Sequence, residues 1–494
     1  MSDPVRTSMP DPVGVSMSDP VGVSTSEPVR TSMPDPVGTS TSDPLPYEMT
    51  EPISPMAKPD PETAHATTKP HPSPTVPNAE PTTPASHLGR AAERHDAADP
   101  LAALRARFVL DDAVYLDGNS LGALPRAVPG RVAEVIAHQW GELRIRSWTE
   151  AGWWTAPERI GDRIAPLVGA GPGSVVVGDS TSVNVFKAVV GAVRMAAPGR
   201  DEILVDAATF PTDGYIAESA ARMTGRTVRP VHAARIADEV TERTALALVN
   251  HVDYRTGELN DLPGTTAALH AAGALAVWDL CHSAGALPVG LAEHGVDLAV
   301  GCTYKYLNGG PGAPAYLYIR DDLQERFDSP LPGWNSHAEP FGMARDYTPA
   351  DGALRGRVGT PDILSMLALD AALDVWDGVD LSAVRAKSLA LGDFFLECVQ
   401  EYAPPGRVRS VTPRAHEARG SQVSLECDGA GAVMTELIRR GVIGDFRHPD
   451  VLRFGFTPLY TAFADAERAA RVLGEVLRDG VGQAADTGRG PAAR

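Results

Sequence analysis

VDLAVGCTYKYLNGGPGAPAYLYI, residues 296–319, reads as two buried strands joined by a glycine-rich turn, with Lys305 set between two tyrosines just past the first strand. A lysine at a strand-to-loop boundary is ordinarily a solvated surface group. Here Tyr304, Tyr306 and Leu307 make an apolar setting that solvates an ammonium poorly and favours the neutral, nucleophilic amine. Gly309, Gly310 and Gly312 leave room for close backbone approach, as a bulky ligand requires.

Upstream, VWDLCHSAG (277–285) places Asp279 at the end of another strand, 26 residues before Lys305, with His282 three positions on. In a parallel sheet the strand ends gather on one edge, so a carboxylate and a lysine from neighbouring strands can flank one ligand. A pyridine cofactor needs such a carboxylate to keep its ring nitrogen protonated. Asp279 as a helix cap, or Asp279, Cys281 and His282 as a metal site, are the competing readings, and no second ligand cluster follows at metal-site spacing. GDSTSVNVFKAVVGAV (178–193) follows the strand SVVV and opens a helix with hydroxyl side chains, which serves equally as a phosphate cradle or as an ordinary N-cap. Neither G-x-x-x-x-G-K-[ST] nor G-x-G-x-x-G occurs there, against nucleotide triphosphates and dinucleotides.

Further out, strand-like runs at Ser174–Val177, Glu202–Val205, Ala245–Val249, Leu275–Trp278, Leu298–Val300 and Ala315–Ile319 alternate with helical stretches. This alternation predicts an α/β fold with a mostly parallel sheet covered on both faces. Val132, Val135, Ile136, Trp140 and Leu143 fall on one helical face, as do Ile160, Ile164, Leu167 and Val168. Helices are expected at Leu364–Val375 and Ala383–Val399, then a small α+β section from Gln422 to Leu477.

The first 48 of the 494 residues are six copies of an octapeptide, MSDPVRTS to TSDPLPYE, and 20 of the 43 prolines lie in the first 100 positions. A period of eight with almost no large apolar residues cannot bury a core, so a disordered tether is expected, with a docking segment as the other reading. The expected organisation is a Pro-rich segment at 1–92, an N-terminal segment at 93–150 joining the small domain, a large domain at 151–380, a small domain at 381–480 and a loose tail at 481–494. A net charge of −19 with no basic stripe argues against a nucleic-acid partner. No apolar run is long enough to span a bilayer and no basic leader is seen, so no membrane partner and a cytoplasmic location are expected. The four cysteines form no C-x-x-C pair, and reduced thiols are expected.

Taken together, YLDGNSLG (115–122), RSW (146–148), DSTSVN (179–184), FPTD (210–213), TGEL (256–259), DLCHSAG (279–285), YKYLNGGPG (304–312), GW (333–334), GTP (359–361) and LRFGFTPLY (452–460) resemble kynureninase in order and spacing, from about residue 100 to 475. The resemblance implies a fold-type I pyridoxal-phosphate enzyme with a seven-stranded-type sheet in the large domain, hydrolysing kynurenine to an anthranilate and alanine. It makes Lys305 the Schiff-base lysine, Asp279 the partner of the pyridinium nitrogen and His282 its neighbour. It also makes Thr181 and Ser182 the phosphate-side pair, Phe210 the ring-stacking aromatic and Asp213 the end of its loop. Asn250, Tyr304, Trp334 and Thr360 fall on cofactor-contacting positions, the last two reaching across a homodimer interface. Arg453 falls on the position that grips the substrate α-carboxylate, and Tyr304 serves as the acid-base group. No metal is implied. The resemblance places the reaction in the kynurenine pathway, with tryptophan breakdown and NAD biosynthesis as its setting. Animal-type members that favour 3-hydroxykynurenine carry asparagine where Thr360 stands and a histidine near the stretch where this chain has WGELR (140–144), so unmodified kynurenine is the expected substrate. A cysteine desulfurase or aminotransferase of the same fold would share Lys305, Asp279 and His282, and an interaction protein with an idle domain would leave the octapeptide tract as its working part.

Overall fold

The computed structural model describes residues 86–482; the octapeptide tract, most of the Pro-rich segment and the tail from 483 lie outside the described residues. The described strands are β1 (Val114–Tyr115), β2 (Val175–Val177), β3 (Glu202–Asp206), β4 (Thr227–Val231), β5 (Thr244–Asn250), β6 (Leu275–Asp279), β7 (Leu298–Gly301), β8 (Tyr316–Ile319), β9 (Arg409–Ser410), β10 (Gln422–Glu426), β11 (Val442–Ile443), β12 (Asp445–Arg447) and β13 (Val451–Gly455). The large sheet runs β2-β8-β7-β6-β5-β3-β4, with β3 to β7 mutually parallel and β8 antiparallel to both its neighbours.

The interior strand β5 is buried along its whole length and sends alternate side chains to opposite layers. Leu246 and Leu248 join Val185, Ala188, Val189, Ala217 and Ala220 under helices Thr181–Met195 and Pro211–Thr224. Ala247 and Val249 join Ile160, Leu262 and Leu269 on the other face, under helices Ala156–Ile164 and Leu262–Ala271. Burial on both faces is why these strands read as unbroken apolar runs.

All six expected strands are present, and one more, β4, lies at the sheet edge. Its sequence, TVRPV, is half polar and contains Pro230, a composition that only an edge position tolerates and that conceals the strand from an apolar-run reading. The helical face expected from Val132 to Leu143 is corrected. An α-helix at Ala127–Glu134 passes into a π-helix at Val135–Leu143, and the wider turn buries Val135 and Gln139 while leaving Ile136 and Trp140 exposed. Gln139 is then satisfied inside the fold: its amide donates to Glu134 at 2.9 Å and accepts from the Trp153 indole at 2.6 Å.

The four-stranded sheet β12-β13-β10-β9 is packed by helices Leu381–Tyr402, Ala430–Arg439 and Phe463–Arg478 around a separate apolar cluster. Chain from before residue 120 belongs to that cluster, for Leu88, Ala92, Val114 and Leu116 are buried in it and β1 pairs in parallel with β11. Helix His87–Ala98 begins inside the stretch assigned above to the Pro-rich segment; only Leu88 and Ala92 along it are buried, too few for an amphipathic signal. Asp99, at its end, forms a buried ion pair of 2.7 Å with Lys387, whose ammonium also donates to the Pro458 carbonyl. Lys387→Met would strand the Asp99 carboxylate inside the protein, and we expect a loss of about 3–5 kcal/mol in urea unfolding, much of it recovered when Asp99→Leu is added.

Among the described residues no helix is long and apolar enough to cross a membrane.

Candidate active site

β5, β6 and β7 end side by side, with Asn250 registered against Asp279 and Asp279 against Val300. Past β7 the chain turns through Cys302 and Thr303 into Tyr304 and Lys305. The Lys305 ammonium nitrogen lies 3.0 Å from His282 Nε2 and 5.8 Å from the centre of the Tyr304 ring. Tyr306, the other flanking tyrosine, turns away into the core. Of the glycines after Lys305, Gly309 is closely approached, for a Cβ there would meet Leu369 at 2.9 Å and the Thr303 carbonyl at 3.0 Å. Gly310 and Gly312 take positive φ in a turn with open space around them, and a still tighter approach falls at Gly122. A Cβ there would sit 2.3 Å from the Lys305 carbonyl oxygen, and the Gly122 N–H donates to the Tyr304 carbonyl at 2.8 Å. The YLDGNSLG segment is thereby clamped onto the lysine loop.

A cavity of about 110 Å³ opens at these strand ends, lined by Thr181, Ser182, Phe210, Asp213, Asn250, Asp279, His282, Tyr304 and Lys305, together with Thr212, Tyr254 and Cys281. Nine of the eleven positions implied as cofactor contacts therefore share one space. Thr360 lies in an adjoining cavity of about 380 Å³ that meets the first at Thr181 and Tyr304. Trp334 lines neither; it packs against Trp148, Trp154 and Phe341 on the surface.

Asp279 caps a turn rather than a helix: its Oδ1 accepts the Cys281 N–H at 2.7 Å and its Oδ2 the Asn250 amide at 3.0 Å. Asp213, from the first turn of helix Pro211–Thr224, stands beside it, and burial followed by the repulsion of Asp279 holds its carboxyl well above the usual range. Burial and the neighbouring Lys305 push His282 well below the usual imidazole range, so the ring is neutral and its Nε2 accepts from the lysine. Its Nδ1 is buried without a hydrogen-bond partner among the described residues. Burial and the sulfurs of Cys302 and Cys281 raise the Tyr304 phenol, which stays protonated. Among the described residues no cluster of His, Cys, Asp or Glu is arranged to hold a metal ion.

Ser180 is the N-cap of helix Thr181–Met195, accepting from the Val183 N–H, so the capping reading holds for Ser180 while Thr181 and Ser182 face the cavity. Phe210 is largely exposed and meets Tyr254 edge to face at 5.3 Å. Arg453, on β13, is only 1% exposed and does not line the cavity. Asp445 takes its Nε and Nη2 edge, with Nε to Oδ1 at 2.6 Å, while Ser120 (3.1 Å) and the Tyr254 carbonyl take the outer edge. Asp117 stands half-buried nearby, its carboxyl pushed up to about 6 by desolvation and by Asp445.

Tyr254, Ser120 and Asp445 were not singled out from the sequence. Asp445 and Ser120 reach Arg453 only through the fold, and Tyr254 stands just ahead of the TGEL motif with nothing local to mark it.

Residues 384–473 match the family model described as the kynureninase C-terminal domain. The chain is 51% identical to a kynureninase of Deinococcus radiodurans and 47% identical to one of Pseudomonas fluorescens. Each match runs over 389 residues, 77% of this chain and 94% of the relative. The chain belongs to the kynureninase family. Solved structures agree on the fold at much lower identity. The cysteine desulfurase CsdA of Escherichia coli superposes with a TM-score of 0.66 at 21% identity, covering 76% of this chain and 98% of its own. A mutant of C-DES with glycine covalently linked to its PLP cofactor superposes with a TM-score of 0.65 at 20% identity, covering 75% and 98%. The family-model match takes in β13 and with it Arg453.

Proposed function

We propose that this chain is a pyridoxal-phosphate-dependent hydrolase that adds water across the Cβ–Cγ bond of L-kynurenine, releasing anthranilate and L-alanine. The carrying observation is the convergence of Lys305, His282 and Asp279 in one cavity at the ends of parallel strands, beside a helix N-terminus. The fit to the cofactor rests on the donor set. Lys305 offers an amine, Asp279 a buried carboxylate without a cationic side chain at ion-pair distance among the described residues, and His282 Nδ1 an unanswered donor. Thr181, Ser182 and the first N–H groups of helix Thr181–Met195 suit a phosphate, and Phe210 presents a ring face. Asn250, Asp213 and Tyr304 complete the holding set, with Trp334 and Thr360 contributed across a homodimer.

When bound, the cofactor supplies a protonated pyridine ring that accepts the electron pair released at the substrate Cα. Lys305 Nζ anchors it and, free while substrate is bound, takes the α-proton. Neutral His282 accepts a hydrogen bond from that nitrogen and keeps it beside the cavity. The Tyr304 phenol donates a proton as the aryl ketone is hydrated and split. Arg453 receives the substrate carboxylate on its outer edge, displacing Ser120 and the Tyr254 carbonyl, while Asp445 keeps the other edge fixed.

A desulfurase reading is disfavoured by the thiols. Cys281 lies two residues past β6 in the cavity wall, and its contact with Cys302 together with burial holds the thiol protonated. A homodimer is supported by the exposed apolar surface around Trp334, where Phe341 is 71% and Met343 79% exposed. The absence of a membrane-crossing helix among the described residues is compatible with a cytoplasmic location.

The test is anthranilate fluorescence from purified protein with added pyridoxal phosphate. With Thr360 in place of asparagine, kcat/KM is expected to be about tenfold higher for L-kynurenine than for 3-hydroxy-L-kynurenine. Release from neither substrate would reject the assignment, and the reverse preference would reject the Thr360 argument alone.

A further inference from the structure

We propose that Asp213 is held as the neutral acid and donates a hydrogen bond to Asp279, which makes it a positioning residue for the carboxylate at the end of β6. The inference rests on the reading above that Asp279 faces the cofactor's ring nitrogen, but the location of the proton can be tested without turnover.

The case is an account of donors. Asp213 is 3% and Asp279 5% exposed, and the two carboxyl groups face one and the same amide nitrogen, Asn250 Nδ2, at 3.4 and 3.0 Å. Two ionised carboxylates so placed in a dry site repel strongly, and one proton between them removes the conflict. No lysine or arginine lies at ion-pair distance from either group among the described residues. Asp279 is the better served: a backbone N–H at 2.7 Å and the Asn250 amide at 3.0 Å. Asp213 receives the same Asn250 amide only at 3.4 Å. The Thr209 hydroxyl lies 3.4 Å from Asp213 but much closer to Asn250 Oδ1, so its single proton goes to the asparagine. This fixes the amide orientation and leaves Asp213 without a strong donor of its own.

Hydrogen bonds to the charged form stabilise it, so the charge settles on Asp279 and the proton on Asp213. The other groups that face the pair agree with this arrangement. Lys305 reaches His282 instead, His282 is neutral, and Cys281 is a protonated thiol. The pair carries one negative charge, equal and opposite to one protonated ring nitrogen. Were both ionised, the site would hold an excess negative charge with nothing to balance it.

Infrared spectra of the cofactor-loaded protein at neutral pH test the proposal. A protonated-carboxyl band above the amide I region is expected, shifting when aspartate is labelled with 13C and disappearing in Asp213→Asn. Absence of an aspartate-dependent band in the wild-type protein, or its survival in Asp213→Asn, would overturn the proposal. A second readout is cofactor affinity. Asp213→Asn retains an N–H donor toward Asp279 and is expected to weaken pyridoxal phosphate by no more than about fivefold. Asp279→Asn removes the charge itself and is expected to cost about a hundredfold or more. Equal losses in the two variants would also overturn it. If pyridoxal phosphate does not bind the wild-type protein, the cofactor reading fails, and the infrared band measured on the protein alone still decides where the proton is.

Discussion

Lys305→Ala is expected to lower turnover of L-kynurenine by about ten-thousandfold or more, because one nitrogen carries both the covalent anchor and the α-proton transfer. The two losses can be separated. Pyridoxal phosphate should still be retained by Asp279, Phe210 and the helix N-terminus, so the variant's cofactor content reports the first role and anthranilate release the second. A small primary amine added to the medium should restore part of the rate, since it can replace the missing base but not its placement. Lys305→Arg should not recover activity, because a guanidinium remains protonated and cannot accept the α-proton. A variant retaining even a tenth of wild-type turnover would show that Lys305 is not the acting base.

Arg453→Gln should produce the second large effect, and it should appear at two levels. The substrate carboxylate loses its two-pronged partner, so kcat/KM is expected to fall by about a hundredfold or more, chiefly through KM. The fold loses the cation that answers Asp445. Arg447 remains 3.0 Å from that carboxylate and softens the loss, so a stability drop of about 2–3 kcal/mol is expected in place of the full penalty for an orphaned buried charge. Arg453→Lys separates the levels. Its ammonium can keep a charge beside Asp445 but cannot serve two edges at once, so stability should largely return while KM stays high. Equal KM values for wild type and Arg453→Gln would remove Arg453 from substrate recognition and leave it a structural residue of the small domain.

What was legible in the sequence follows from how locally each feature is encoded. Lys305, Asp279, His282, Thr181 and Ser182 stand at strand ends or at a helix start, and parallel topology carries such positions to one edge without further information. The buried strands announce themselves because both faces are apolar. β4 was hidden because an edge strand need not be. The π-helix at Val135–Leu143 was hidden because apolar spacing was judged against a 3.6-residue turn, and one wider turn exchanges Gln139 for Trp140 on the inner face. Asp445, Ser120 and Tyr254 were hidden for a different reason: each gains its meaning from an arginine that the chain reaches by another route. The hydrogen-bond economy around Asp213 belongs to this class too: the sequence marks Asn250 only as a cofactor contact and Thr209 not at all, and the bond between them exists only in the fold.

The parallel pairing of β1 with β11 bears on how the chain is made. Val114 and Leu116 leave the ribosome more than 300 residues ahead of Val442 and Ile443, the strand they pair with. At about 10 residues per second this is a wait on the order of half a minute, during which the large sheet can close but the small domain cannot. The nascent chain therefore carries an unpaired apolar strand through most of its synthesis, and a product terminated before residue 442 would keep that strand permanently open to association with other chains.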